Sequence, residues 1–426
     1  MHPEELYKIY RQFSSIQTDT RKLKPGDLFF ALKGGNFNGN HFAKKAIESG
    51  AAFAVIDEKE FEIPGKTILA DDVLTTLQQL AKHHRQQFTI PFLAITGSNG
   101  KTTTKELIHT VLSTTYKTYT TEGNLNNHIG IPLTLLKIKP DAELAVVEMG
   151  ANHIGEIASY CNIALPTHGI ITNCGKAHLE GFGSEEGVRK GKGELYDHLK
   201  VINGTAFIMW DYNYLQEMSK GITKIITYGT HNAELEGITI ESEPFLKIKF
   251  QKGTSLSSVQ THLVGDYNLP NVLAAVAVGK YFKTPDEKIG AAIENYIPSN
   301  NRSQWIEKGS NKIILDAYNA NPSSLKQAID NFAKMHAPDK ILILGSMAEL
   351  GEHSTREHQL IIEQIQKYKW ANVILVGGGF EKINSPYRWF KNSEDAGNWF
   401  QQQHFQNHTI LIKGSRSMQM EKVTEV

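Results

Sequence analysis

Apolar residues recur at Leu6, Ile9, Tyr10 and Phe13, a spacing of three and four that predicts an amphipathic helix over residues 3–13. After the Lys24-Pro-Gly-Asp27 turn the pattern becomes an apolar run over 28–32. A helical stretch over 41–49 follows, stopped by Gly50, and then a strand over 51–56. This reads as a small α/β unit with residues 88–91 as its exit linker. Further on, apolar runs of strand length at 92–95, 144–147, 169–172 and 206–209 alternate with helical patterns, which implies a mostly parallel sheet. Residues 223–265 instead alternate apolar and polar positions between glycine turns and predict an antiparallel appendix. A mostly apolar helix is expected over 268–282. After the 297–301 segment, strands at 312–315, 341–344, 373–376 and 409–412 with helices between them predict another doubly wound sheet. The expected fold class is α/β in three domains, 1–88, 89–298 and 299–426.

Composition agrees with this picture and removes some alternatives. A chain of 426 residues suits three domains at about 150 residues each. Forty-five basic residues balance 45 acidic ones, so no basic surface argues for nucleic acid or an anionic membrane. Cys161 and Cys174 are too few for a disulfide framework or a zinc cage and read as buried free thiols in a reducing cytoplasm. The opening Met-His-Pro-Glu-Glu-Leu has no leader-like basic or apolar region, and no apolar run approaches the ~20 residues of a membrane span. A soluble, cytoplasmic protein is expected. Gly377-Gly-Gly379 lacks the Gly-x-Gly-x-x-Gly spacing of a dinucleotide site, and a tight strand-to-helix turn explains it.

The candidate chemistry begins where the 92–95 strand runs into Gly97-Ser98-Asn99-Gly100-Lys101-Thr102-Thr103. A strand, a glycine-framed turn and a helix start aim backbone N–H groups at one spot, which suits a polyphosphate. Lys101 would reach the β- and γ-phosphates and Thr102 would hold Mg²⁺. The loop is short of a full phosphate-loop pattern, because Ile95 stands where its first glycine belongs; a glycine turn capped by threonines is the plainer reading. Glu148 ends the next strand, at the sheet edge where ligands bind, and is a natural ligand for the nucleotide's Mg²⁺. His178 follows the 169–172 strand towards that same edge. Lys192, in Gly191-Lys192-Gly193-Glu194, reads from its pattern as a solvated or phosphate-pairing lysine; as a CO₂ adduct it would become an anionic oxygen ligand.

These motifs, in this order, resemble the Mur ligases: the Gly-Ser-Asn-Gly-Lys-Thr-Thr-Thr-Lys-Glu loop, Glu148-Met-Gly-Ala-Asn-His153, and Ala177-His178-Leu-Glu-Gly-Phe-Gly183 followed by Lys192-Gly-Glu194. The shortened loop is typical of that superfamily. Gly265-Asp-Tyr-Asn-Leu-Pro-Asn271 resembles its adenine-side helix. Arg302, Asp316-Ala-Tyr-Asn-Ala-Asn-Pro322, Leu344-Gly-Ser-Met-Ala-Glu-Leu-Gly351 and Lys413-Gly-Ser-Arg-Ser-Met418 resemble the branch that adds D-Ala-D-Ala to UDP-N-acetylmuramoyl-tripeptide. Thr18-Asp19-Thr20-Arg21 and Pro25 to Gly34 resemble its UDP-sugar-binding domain, with Asp-Thr-Arg in place of the commoner Asp-Ser-Arg. Tyr267-Asn268 stands where His-Asn is frequent.

The resemblance implies an ATP-dependent peptide ligase working through an acyl phosphate, with two Mg²⁺ ions and a carbamate on Lys192. It implies a UDP-sugar-substrate domain, a central ATP-binding domain and a C-terminal ligase domain. Gly97, Ser98, Asn99, Gly100, Lys101, Thr102 and Thr103 would cradle ATP, Asn271 would bond adenine, Asp316 the ribose, and Arg302 the phosphates. The metals would fall to Thr102, Glu148, His178 and Lys192, with Lys101, Glu148, His178 and Lys192 forming the catalytic set. Asp19, Thr20 and Arg21 would lie at the UDP end. Asn126 and Asn127 would touch substrate or simply form turns, and the plainer alternative for Arg302 is a surface arginine just past a linker. Because Arg302 and Asp316 lie in another domain from Lys101, the site should be complete only on domain closure. The small-molecule partners would be UDP-N-acetylmuramoyl-tripeptide and D-Ala-D-Ala, and a monomer is expected. The alternatives are another amide ligase of the superfamily, such as an earlier Mur ligase or a folylpolyglutamate synthase, a nucleotide-hydrolysing switch or motor, and a nucleotide-gated binding module.

Overall fold

The computed structural model describes residues 3–13, 15–299 and 301–425; Met1 and His2 of the opening and Asn300 of the 297–301 segment lie outside them. The first helix spans Pro3–Phe13 and buries Leu6 and Tyr10, with Ile9 and Phe13 packed against the same core. A parallel four-stranded sheet follows in the order Ile16–Gln17, Leu28–Phe30, Phe53–Ile56, Thr67–Leu69. The helical stretch over 41–49 is a 3₁₀ turn, Gly39–Phe42, leading into the helix Ala43–Glu48. The sequence pattern missed the helix Val73–Arg85, which Asp72 caps by accepting from Thr75 N at 2.6 Å. Its last residue ties this unit to the next: the Arg85 guanidinium stacks 3.6 Å over the Phe92 ring and donates to the carbonyls of Ala164 and Leu165.

The central sheet has nine strands. Its parallel core runs Thr118–Thr120, Leu144–Glu148, Phe92–Thr96, His168–Ile171, Thr205–Met209, Lys224–Gly229. Residues 223–265 do not form the expected antiparallel appendix throughout. Lys224–Gly229 pairs parallel to Thr205–Met209, and Leu235–Glu241 pairs parallel to it in turn. Only Lys247–Lys252 and Ser258–Gln260 are antiparallel. The helix Leu269–Tyr281 covers one face of these strands while the other stays partly exposed, so a sheet margin shows the same alternation as a separate hairpin. That helix buries ten residues around most of its circumference, which explains its apolar sequence.

The third sheet has six strands, ordered Gln304–Lys308, Asn311–Asp316, Thr409–Lys413, Lys340–Gly345, Asn372–Val376, Arg388–Phe390. The inner four are those the sequence predicts and are parallel; the first edge strand is antiparallel. The unpredicted edge strands are short and half-exposed, so their few apolar residues form no continuous run. Gly377, at φ 97°, caps the short helix Gly378–Glu381 directly after a strand. Cys161 and Cys174 are free and buried, their thiols pushed up to about 12 by desolvation. Among the described residues no helix is long and apolar enough to cross a membrane.

Candidate active site

The fully buried strand Phe92–Thr96 delivers the chain to Gly97 (φ 142°) and Gly100 (φ 79°), and Gly100 caps the helix Lys101–Leu112. Glycine is required at both by φ and by space: a Cβ would stand 2.0 Å from Thr172 Oγ1 at Gly97 and 2.5 Å from Asn271 Oδ1 at Gly100. The adjoining strand end pins the loop between them. Ser98 N donates to Asn173 O at 2.8 Å, and Asn99 N to Asn173 Oδ1 at 3.0 Å. Ser98, Asn99, Gly100, Lys101, Thr102 and Thr103 line a cavity of about 780 Å³, which also takes in His178, Arg302 and Asp316. The orphan N–H groups and positive end of the helix dipole therefore lie at its wall.

Inside the cavity Lys101 Nζ donates to Gly97 O at 2.6 Å, and burial holds its ammonium below the ordinary lysine range, with Glu148 opposing and Arg302 adding to the shift. Thr102 Oγ1 donates to Glu148 Oε2 at 2.9 Å, and Asn126 Nδ2 donates to Glu148 Oε1 at 2.8 Å. Glu148 is only 1% exposed, so its partners are set by the fold. His178, at φ 52°, brings Nδ1 to 2.5 Å from Oε2 of Glu349, which sits at φ 61°. This is a close polar contact without hydrogen-bond alignment, an ion pair only when the imidazole is protonated, since His178 Nδ1 has no aligned partner. Two non-glycine residues in the left-handed region meet here, a local strain of the kind found at functional sites.

Lys192 departs from its sequence reading. It lies on the helix Glu185–Ile202 with no exposed surface, donates to Ala151 O at 2.9 Å and stands 5.0 Å from the Phe182 ring centroid. It is neither solvated nor lining the cavity, so the solvated and phosphate-pairing readings fail. Burial, with the Lys101 charge, pulls its amine down to about 7. Among the described residues no cluster of three or more His, Cys, Asp or Glu is arranged to hold a metal.

The third domain supplies the opposite wall. The Arg302 guanidinium stacks 3.6 Å over the Tyr318 ring, and Lys413 Nζ donates to Asp316 Oδ2 at 2.5 Å. Arg302 is thus held in the cavity and is no simple surface arginine. Asn271 lines the cavity and bonds inside the protein, accepting from Thr104 Oγ1 at 3.0 Å and donating to Asn268 Oδ1 at 2.8 Å. Of the two asparagines, Asn126 holds Glu148, whereas Asn127 Oδ1 accepts from Ile129 N and Gly130 N as a turn residue does. Asp19, Thr20 and Arg21 do not line this cavity: Asp19 caps the turn Thr20–Lys22 and pairs with the exposed Arg21 at 2.8 Å, which lowers its carboxyl to about 2. Glu349, Tyr318, Lys413 and Asn321 stand in the quoted motifs without an assigned role, because each works through a partner distant in sequence.

The sequence matches, in chain order, the Mur ligase family catalytic domain over residues 12–85, the Mur ligase middle domain over 95–279 and the Mur ligase glutamate ligase domain over 301–416. The chain belongs to the Mur ligase family. Among Mur ligases it is 35% identical to the UDP-N-acetylmuramoyl-tripeptide--D-alanyl-D-alanine ligase of Bacillus subtilis, over 96% of this chain and 92% of the relative. Its fold matches crystal structure I of MurF from Acinetobacter baumannii with a TM-score of 0.88 at 29% identity, covering 97% and 93% of the two chains. The MurF ligase of Thermotoga maritima, solved in complex with ADP, matches with a TM-score of 0.86 at 26% identity and 96% of both chains.

Proposed function

We infer that this Mur ligase joins D-Ala-D-Ala to UDP-N-acetylmuramoyl-tripeptide with ATP, giving the UDP-pentapeptide precursor of peptidoglycan, ADP and phosphate. The carrying observation is the single cavity in which Lys101, Glu148 and His178 face Arg302 and Asp316 of the third domain. Identity of 35% along 96% of the chain to a relative named for that reaction supports the choice of amine.

The tripeptide carboxylate attacks the γ-phosphorus, an oxygen–phosphorus bond forms, and ADP leaves with the electrons of the broken bond. The dipeptide amine then bonds to the acyl carbon, phosphate leaves with its bonding pair, and the nitrogen sheds a proton. Both steps gather negative charge, so fixed cations and N–H groups contribute most. Lys101 and the N–H groups of residues 100–103 neutralise the β- and γ-phosphates, and Arg302 approaches them from the third domain. Asp316 takes the ribose hydroxyls and Asn271 the adenine side. Asp19, Thr20 and Arg21 serve the UDP end, where a guanidinium suits a diphosphate. Asn126 keeps Glu148 aligned, and Asn127 shapes the turn beside it. The domains run 1–88, 89–298 and 299–426, with one large sheet in each.

The oxygen pair of Thr102 and Glu148 at the helix start fits a hard divalent cation, and a second would fall to His178 and to a carbamoylated Lys192 turned from Ala151 O into the cavity. Mg²⁺ bound there would neutralise charge between the nucleotide and the substrate carboxylate. A lysine held near 7 keeps the neutral amine that CO₂ requires, forming a nitrogen–carbon bond and releasing one proton. The enzyme acts in the cytoplasm, as a monomer, in wall synthesis and hence in cell shape and division.

Phosphate release from ATP and Mg²⁺ tests this, with the tripeptide substrate and D-Ala-D-Ala added singly and together. Release requiring both, with a UDP-pentapeptide product, is expected. Stimulation by D-glutamate, a diamino acid or folate would replace this assignment with another ligase of the superfamily. Hydrolysis needing neither substrate would indicate a switch or motor, and binding without turnover a nucleotide-gated module.

A further inference from the structure

The helix Pro322–Lys334 of the third domain starts against the phosphate loop, joined to it directly by its cap residue and indirectly through the segment around Gly175 and Lys176. Asn321, buried, caps this helix through Oδ1, which accepts from Ser324 N at 2.9 Å. Its Nδ2 donates outward to Asn99 Oδ1 at 2.7 Å. Two residues on, Ser323 Oγ accepts from Lys176 N at 2.9 Å. Gly175, next to Lys176, exchanges hydrogen bonds with Ser98 of the loop, receiving from Ser98 Oγ at 2.9 Å and donating to it at 3.0 Å. A Cβ on Gly175 would lie 2.7 Å from Ser323 Oγ, so the close approach of the two domains dictates glycine there. Meanwhile the backbone of Asn99 is already committed within the central domain, to Asn173 Oδ1 and to Thr172 Oγ1. Its side chain alone is turned to the third domain.

We propose that Asn321 is a positioning residue that couples the phosphate loop to the seating of the third domain, so that ATP turnover stays tied to amide formation. This deepens the ligase reading and rests on it. With the contact made, the loop is held from both domains and the cavity stays closed to water. With it lost, the third domain lifts more readily and the acyl phosphate meets water. The water oxygen then bonds to the acyl carbon, phosphate leaves with the electrons of the broken carbon–oxygen bond, and the carboxylate is restored with release of a proton. ATP is consumed without product.

The measurement is phosphate released per UDP-pentapeptide formed, for the wild type, Asn321→Ser, Asn99→Ala, the double variant and Gly175→Ala. Serine keeps the helix cap but is too short to reach Asn99, which separates capping from coupling. The ratio should rise from about one in the wild type by about three- to tenfold in each single variant, the worth of one buried hydrogen bond. The kcat for amide formation should fall more than the KM for ATP rises. The double variant should be no worse than the worse single one, since both remove the same contact. A ratio unchanged in Asn99→Ala and Asn321→Ser, or additive effects in the double variant, overturns the coupling. Failure of the wild type to make any UDP-pentapeptide overturns the ligase reading itself, and the coupling with it.

Discussion

The two walls of the cavity are built differently. On the central-domain side the wall is built around consecutive residues: Gly97 to Thr103 form one strand–turn–helix unit whose φ angles and close contacts leave little choice of sequence, with Glu148 held against it by Thr102 and Asn126. On the third-domain side it sits in pairs separated in sequence, Arg302 with Tyr318, Asp316 with Lys413, Asn321 with Asn99. A local motif binds phosphate through its backbone, and such a site survives as long as its strand and helix do. The paired wall depends on side chains meeting across the fold, so it can move with its domain and be tuned one pair at a time. In the proposed ligase the first wall would supply chemistry, and the second would decide when chemistry is allowed.

Substitutions should separate the two. Glu148→Ala strikes the fixed wall and should reduce kcat by about a hundred- to a thousandfold, as loss of a transition-state charge partner does. A smaller loss would mean that Thr102 and Asn126, its two partners, suffice without it. Lys192→Ala, behind that wall, should cost about ten- to a hundredfold, the range for a group supporting metal ligation. A small carboxylate should partly restore it, and bicarbonate should restore decarboxylated wild type; normal turnover by Lys192→Ala would rule out the carbamate. On the paired wall, Asp316→Ala should weaken ATP binding by about tenfold, the worth of a hydrogen bond to a charged group. Unchanged ATP affinity would count against nucleotide binding between the domains.

Tyr318→Leu should have a smaller effect, about two- to fivefold on the KM for ATP, since a partly exposed cation–π contact is worth about 0.5–1 kcal/mol. A separate effect, read on stability and not on turnover, is a pH dependence in CO₂-free buffer. Lys192 titrates near 7 in the fold against 10.5 in the unfolded chain, so between these values only the unfolded chain holds the proton. Stability from denaturant unfolding should therefore rise with pH across that window, and Lys192→Met should flatten the rise. An identical slope in the variant would place the titration elsewhere.

How much was legible follows the same division. The inner strands of each sheet were readable because burial on both faces writes a continuous apolar run, as at 341–344 and 409–412. The edge strands Thr118–Thr120, Gln304–Lys308 and Arg388–Phe390 were not, because half-exposed residues carry no such signal. The strand Lys224–Gly229 was placed in a separate appendix, since alternation tells that one face is covered but not which neighbour the strand joins. Lys192 is the sharpest case. Its flanking glycines were visible, but their reason was not: a Cβ on Gly191 would stand 2.5 Å from Phe182, which closes the lysine's surroundings.

The sequence alone determined the α/β class, the phosphate loop and the order of motifs that marks a Mur ligase, because each depends on residues near one another along the chain. Tertiary structure alone decided that Lys192 is buried with a depressed amine, that His178 meets Glu349, and that Asn321 reaches the phosphate loop. The physical reason is that burial, charge shifts and interdomain hydrogen bonds depend on distances in space, which local pattern does not encode.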